Sequence, residues 1–209
     1  MVQTIAVTDA IVNLNEVHQR FGLQLNSTTR FFTEWQQSLP ALTQTETAAL
    51  NRYRDRYLFY TAEGSISEGT VNIIMVSPLL ELLGLCDPPH KILGERYVTL
   101  AIDNGETLLK GRIDVLILQE NVWIVLIEAK HFGFSVMQAL PQTLTYMMAS
   151  PKSADPLFAM ITTGEDFLFL KLQRQTSEYA LSHKFTLLSD ESHNLHQAVR
   201  ILKRLTFSE

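Results

Sequence analysis

A chain of 209 residues with 46% apolar and 19% charged positions and a mean hydropathy of +0.05 has the composition of one cored globular domain, with room for an appended helical segment rather than a second full domain. Seventeen basic against twenty-two acidic residues give a net charge of −5 and a pI near 5.7, which excludes a molecule that grips a polyanion by its overall charge and leaves only a local patch for such contact. No apolar run reaches the ~18 residues of a membrane helix, no Gly-x-x-x-x-Gly-Lys-Ser/Thr loop occurs, and the single cysteine, Cys86, excludes an internal disulfide and a cysteine-based zinc site.

The first 60 residues read as helical. No Lys or Arg precedes Arg20, so the charged start of a secretory signal is missing and a cytoplasmic protein is expected. From Thr8, the positions Ile11, Leu14, Val17 and Phe21 fall on one helical face, and Gly22 is a natural stop. Thr43-x-x-Glu46 predicts a capping box opening a second helix through Leu50, Tyr53, Tyr57 and Tyr60. Between them, Phe31-Phe32-x-Glu34-Trp35 forms an apolar cluster suited to docking on the main body. A third helix is predicted over about Ser67 to Leu83, kinked or interrupted by Pro78 and closed by Gly84.

After Pro88-Pro89 the spacing turns to β. Arg96 to Ile102, Leu109 to Leu118 and Val122 to Ala129 predict a three-strand meander. Val122 to Ile127 is apolar at every position, which predicts a central strand covered on both faces. A helix from a Ser135 cap to about Ala149, bent near Pro141, precedes a hairpin of Leu157 to Thr163 and Phe167 to Leu172 across Gly164-Glu165. A last helix from about Asp190 places Leu195, Val199, Leu202 and Leu205 on one stripe. The order predicts an α/β or α+β fold, a mixed sheet flanked by helices, with residues 1–62 as a helical segment packed on a core of residues 63–209 in a single globular unit.

Asp114 interrupts an otherwise apolar strand, and a lone buried carboxylate needs a cation, hydrogen bonds or a proton. The following strand ends Glu128-Ala129-Lys130, and period-two alternation sets Glu128 and Lys130 on one face. If the strands pair as a hairpin, Asp114 and Glu128 meet, and two carboxylates beside an ammonium suit a divalent cation and a phosphate. Chance alone yields an acid-x-Lys triplet about 0.7 times in such a composition, so the context carries the signal. Spacing leaves open an ion pair of Asp114 with Arg112 or Lys130 at a sheet end. Gln138, Gln142 and Tyr146 recur at i, i+4 and i+8, either as a functional face or as a polar surface stripe. Asn51 to Arg56 mixes arginines and a tyrosine as single-strand binders do, although its tyrosine falls at core spacing; Arg200, Lys203 and Arg204 read equally as a solvated helix face. His193-x-x-His196 lacks further zinc ligands and reads as a surface pair.

Gly111-Arg112-Ile113-Asp114, a thirteen-residue spacer, and Glu128-Ala129-Lys130 followed by a Gln-bearing helix resemble the PD-(D/E)xK nuclease superfamily. More narrowly, the chain is similar to the N-terminal nuclease domain of type I restriction enzyme R subunits in its short stand-alone cyanobacterial form, most strongly from about Ser67 to Leu172. The resemblance implies a restriction-endonuclease-like core over residues 63–209 and a Mg²⁺-dependent endonuclease, with Mn²⁺ as a substitute, that cuts DNA to a 5′-phosphate and a 3′-hydroxyl. It assigns Asp114, Glu128, the Ala129 carbonyl and the helix-borne Glu68 to the metal, and Lys130 to the attacking water. Gln142 and Tyr146, with Gln138 as a neighbour, fall to DNA contact. Ile113 replaces the proline of the superfamily name, and nothing resembles the family's helicase, methylation or specificity parts. The expected partners are therefore DNA, a second copy giving one active centre per strand, and restriction-modification subunits; the alternative is a non-catalytic nucleic-acid-binding or assembly module on the same scaffold.

Overall fold

The computed structural model describes residues 2–37, 39–102, 105–120, 122–150, 155–187 and 194–207, with the side chain of Val122 outside that set. Among these residues, nine strands form one mixed sheet: β1 (Gln3–Ala6), β2 (Gln24–Leu25), β3 (His90–Ile102), β4 (Thr107–Gln119), β5 (Val122–Ala129), β6 (Leu157–Thr162), β7 (Asp166–Gln173), β8 (Glu178–Leu181) and β9 (Phe185–Thr186). The spatial order is β1-β4-β5-β6-β7-β8-β2, with β3 also on β4 and β9 also on β7. The expected mixed sheet flanked by helices is present. The meander is antiparallel, β5 and β6 are parallel, and β6-β7 is the hairpin expected across Gly164.

The helices are α1 (Val7–Ala10), α2 (Leu14–Phe21), α3 (Gln44–Thr61), α4 (Glu68–Val71), α5 (Ser77–Leu82), α6 (Leu140–Met148) and α7 (Asn194–Thr206). Residues of α3, α5 and α7 pack with Ile117, Val125, Ile127 and Phe169 on one face of the sheet. Residues of α2 and α6 pack with Leu116, Leu126, Ile161 and Leu170 on the other. Successive β5 residues thus enter opposite cores, and Val125, Leu126 and Ile127 are each at most 2% exposed. Burying each such side chain contributes roughly 1.5–3 kcal/mol, which fixes β5 at the centre as its apolar run requires. The Thr43–Glu46 capping box forms in both directions, and the stripe of α7 is buried.

Several expectations need correction. Residues 1–62 are not a purely helical segment, because β1 runs parallel to β4 and β2 parallel to β8. Strands of four and two residues, whose pairing depends on distant chain, leave almost no local period. The helix predicted from Thr8 to Phe21 divides into α1 and α2, since the Asn13 side chain caps a new start by accepting from the Glu16 N–H; Gly22 does end it in the left-handed region. The helix holding Pro78 continues through a wide π turn over Asn72–Val76. Such a turn re-routes the carbonyls that a proline ring would otherwise strike. β3 begins at His90, six residues before the predicted Arg96, and β8 and β9 were not anticipated. Arg200 and Lys203 do not form a solvated face: Arg200 donates to the Leu39 and Pro40 carbonyls and Lys203 pairs with Glu46, which ties α7 to the chain entering α3. The Phe31–Trp35 cluster does dock on the sheet, with Phe32 against Phe158 and Glu34 on the Lys171 ammonium at 2.6 Å. His193 and the start predicted at Asp190 lie outside the described residues.

Candidate active site

Along its whole length one edge of β4 is covered by β3, whereas the other edge is shared. β1 pairs with β4 only up to Ala6↔Lys110, and β5 joins only from Val115↔Ile127. Gly111 to Asp114 therefore border a notch between the end of β1 and the end of β5. Asp114 fills part of it by accepting the Ala129 N–H on Oδ2 at 2.8 Å. A cavity of about 350 Å³ opens there, lined by Glu68, Asp114, Glu128, Lys130, Gln142 and Tyr146 together with Ala6 to Thr8 and Lys110 to Arg112. Asp114, Glu128 and Lys130, predicted from strand alternation to converge, share this one cleft.

Glu128 is 1% exposed. Its Oε1 accepts from Lys130 Nζ at 2.7 Å and from Gln142 Nε2 at 2.8 Å. Its Oε2 is buried with no hydrogen-bond partner among the described residues. Burial, and next the nearby Asp114 carboxylate, push the Glu128 acid up to about 8 despite the Lys130 ammonium. Burial also raises Asp114, against the lowering effect of the Ala129 N–H and Lys130. For Lys130 burial opposes the charge, but Glu128, Glu68 and Asp114 outweigh it and hold the ammonium above its ordinary range. Burial in this cleft thus disfavours the charged form of both carboxylates, Glu128 most strongly.

Glu68 enters from α4, whose Ser67 cap accepts the Thr70 N–H, and its Oε1 lies 3.8 Å from Lys130 Nζ. Phe132 N–H donates to the Ile66 carbonyl, which fastens the approach to α4 onto the chain just beyond Lys130. From α6, Gln142 bridges Glu128 and the Tyr146 hydroxyl, and that hydroxyl also accepts the Arg112 N–H at 3.4 Å. Gly111 makes room for this: a Cβ there would overlap the Tyr146 ring. Gln138 does not join them. It lies in a 3-10 turn, Val136–Ala139, before α6 begins, so its exposed side chain falls off the Gln142–Tyr146 face and outside the cavity. His131 is likewise exposed, with its ring against Phe134.

The donor set is hard oxygen with one amine, which suits Mg²⁺ or Mn²⁺ rather than a soft metal. The orphaned Glu128 Oε2, in one cleft with Asp114, is the feature that a cation would satisfy. Among the described residues, however, no three His, Cys, Asp or Glu side chains are already gathered to hold an ion, and the amine of Lys130 stands between Glu128 and Glu68. Lys110 and Arg112, which sequence reasoning did not place in the site, line the cavity too; their signal was the pair of cations at two-residue spacing leading into Asp114. In the Asn51–Arg56 run, Tyr53 is buried as its core spacing predicts, under the Arg52 and Arg56 guanidinium groups.

No family model matches the chain, and no curated protein matches it. Among solved structures, one described as a fragment of an HsdR subunit of a type I restriction enzyme from Vibrio vulnificus YJ016 aligns at 20% identity and a TM-score of 0.42, over 66% of this chain. The chain spans a quarter of the length of that structure, 25%. No helix of the described residues is long and apolar enough to cross a membrane.

Proposed function

We propose that this chain is a Mg²⁺-dependent endonuclease that hydrolyses DNA phosphodiester bonds, with its site in the notch between β1 and β5. The observation that carries the reading is the unpartnered, buried Glu128 Oε2 in one cleft with Asp114, Lys130 and Glu68. A buried carboxylate oxygen without a partner is costly, and a divalent cation is a natural complement to two neighbouring carboxylates. The mixed sheet, with β4 and β5 antiparallel and β5 and β6 parallel, is compatible with the restriction-endonuclease-like core that the sequence resembles.

Asp114 and Glu128, with the Ala129 carbonyl and Glu68, would hold the ion. When bound, the cation supplies a lowered pKa to a coordinated water and neutralises charge developing on the phosphate. Asp114 is oriented by the Ala129 N–H, and Gln142 fixes the Glu128 carboxylate through Oε1, leaving Oε2 for the ion. Lys130, whose ammonium lies in the same cleft beside Glu128, would present its charge to the attacking water and the scissile phosphate. Tyr146 and Gln142 position these groups from α6. DNA, a second copy and restriction-modification subunits are the partners of this reading, and Mn²⁺ would replace Mg²⁺.

Supercoiled plasmid incubated with the chain and Mg²⁺ tests it: nicking is expected for the wild type and none for Asp114→Ala, whereas nicking that survives in the variant contradicts the assignment. One observation favours a second reading. The Lys130–Glu128 pair at 2.7 Å already neutralises part of the cleft without any ion, as in a scaffold that binds nucleic acid or a partner subunit and does not cut. Absence of any Mg²⁺ binding by the wild type would select that reading.

A further inference from the structure

The edge of β4 leading out of the notch carries its own chemistry. Lys110 and Arg112 both line the cavity that holds Asp114, both are exposed, and their two-residue spacing sets them on one side of the strand. Across the ladder Arg112 faces Tyr97 and Lys110 faces Thr99, so these four side chains share one surface of the β3–β4 ribbon. Tyr97 is 74% exposed, the largest exposure among the big apolar side chains described. Arg112 is held at its far end by Glu95, an exposed pair at 3.2 Å, and Glu95 adopts φ 51°, a left-handed conformation that disfavours a residue with a side chain. Lys110 has no ion pair among the described residues. In a chain whose net charge is −5, two cations and an exposed aromatic side by side at the mouth of an acidic cleft form a local surface of opposite sign.

We infer that this ribbon surface is the track for the nucleic-acid backbone: Arg112 and Lys110 take successive phosphates of the strand leaving the notch, and Glu95 holds Arg112 in reserve until a phosphate displaces it. The inference rests on the nuclease reading and adds where the substrate runs. A guanidinium lying against one carboxylate can exchange it for a phosphate with little loss, because both offer paired oxygens to the same fork. Tyr97 offers a flat face beside the phosphates to a sugar or an unpaired base. On this reading the roles separate: the anionic groups inside the cleft hold the cation, and the cations at the ribbon edge meet the polyanion beside it.

The test is binding of a fluorescein-labelled DNA duplex and of the matching single strand to the full chain, with Ca²⁺ in place of Mg²⁺, measured by anisotropy across a salt series. Each phosphate contact contributes about 0.7–0.9 to the slope of log affinity on log salt, so Lys110→Ala with Arg112→Ala is expected to lower the slope by about 1.5 and to weaken binding on the order of ten-fold at moderate salt. Glu95→Gln removes the competing carboxylate without removing a cation and is expected to tighten binding about two- to five-fold. Wild-type binding with a slope and affinity unchanged in the double variant and in Glu95→Gln would overturn the track and leave the nuclease reading standing. A wild-type chain that binds neither DNA at any salt would overturn both. All three side chains are exposed, and retention of the wild-type melting temperature separates a lost contact from a lost fold.

Discussion

Glu128 offers the sharpest test of how the cleft stores its charge. Its acid is held at about 8 rather than the ordinary 4.5 by burial and by Asp114. A raised carboxyl pKa has a definite linkage sign: below 4.5 the group is protonated in both states and contributes in full, and stability is then lost as pH rises towards the folded value, because unfolding lets the acid ionise. Each pH unit between the two values is worth about 1.4 kcal/mol, so the ceiling is about 5 kcal/mol, and relaxation of the cleft around the charge brings the expected loss to about 2–5 kcal/mol. Glu128→Gln has nearly the shape of the protonated acid and cannot ionise. In EDTA the two proteins should therefore melt together near pH 5 and separate steadily to about pH 8, beyond which the variant should stay the more stable by about 5–15 °C in Tm. Matched thermal melts at half-unit pH steps measure this difference directly. Parallel curves over that range would refute the claim that Glu128 is an acid strained by its surroundings.

Other consequences are independent of that acid. Gly111→Ala should cost about 1–3 kcal/mol in urea denaturation, because its methyl group overlaps the Tyr146 ring; an unchanged midpoint would mean that the ring moves freely. Thr43→Ala deletes the cap at the start of α3 and should cost about 1 kcal/mol by the same assay, with no effect on metal binding. Lys171→Met strands Glu34, whose Oε2 already lacks a partner, and should destabilise by about 2–3 kcal/mol, most of it recovered when Glu34→Leu is added; additive losses in the double variant would contradict the pairing.

The parts of this architecture that local chemistry dictates were legible in the sequence. The Thr43–Glu46 box, the Gly22 stop and the all-apolar run of β5 each depend on neighbours a few residues away. So did the convergence of Asp114, Glu128 and Lys130, because strand alternation and one tight connection suffice to bring them to one cleft. What was not legible depends on distant chain. β1 and β2 are too short to show a period and exist only because β4 and β8 supply partners. Arg200 finds carbonyls about 160 positions away, so its helix face looks solvated until the chain folds. Gln138 keeps the spacing of Gln142 and Tyr146 but sits in the 3-10 turn, where that spacing no longer maps to one face. The break between β1 and β5 along one edge of β4, which creates the cleft, is a property of topology alone.

The central claim is that Asp114 and Glu128 share a divalent cation. Calorimetric titration of the full chain with Mn²⁺ and then Mg²⁺ at pH 8.5, above the Glu128 value of about 8, tests it most directly. One site per chain is expected, weakening as pH falls to 6 and vanishing in Asp114→Asn. Heat that persists unchanged in that variant, or no binding by the wild type at any pH in this range, would contradict it.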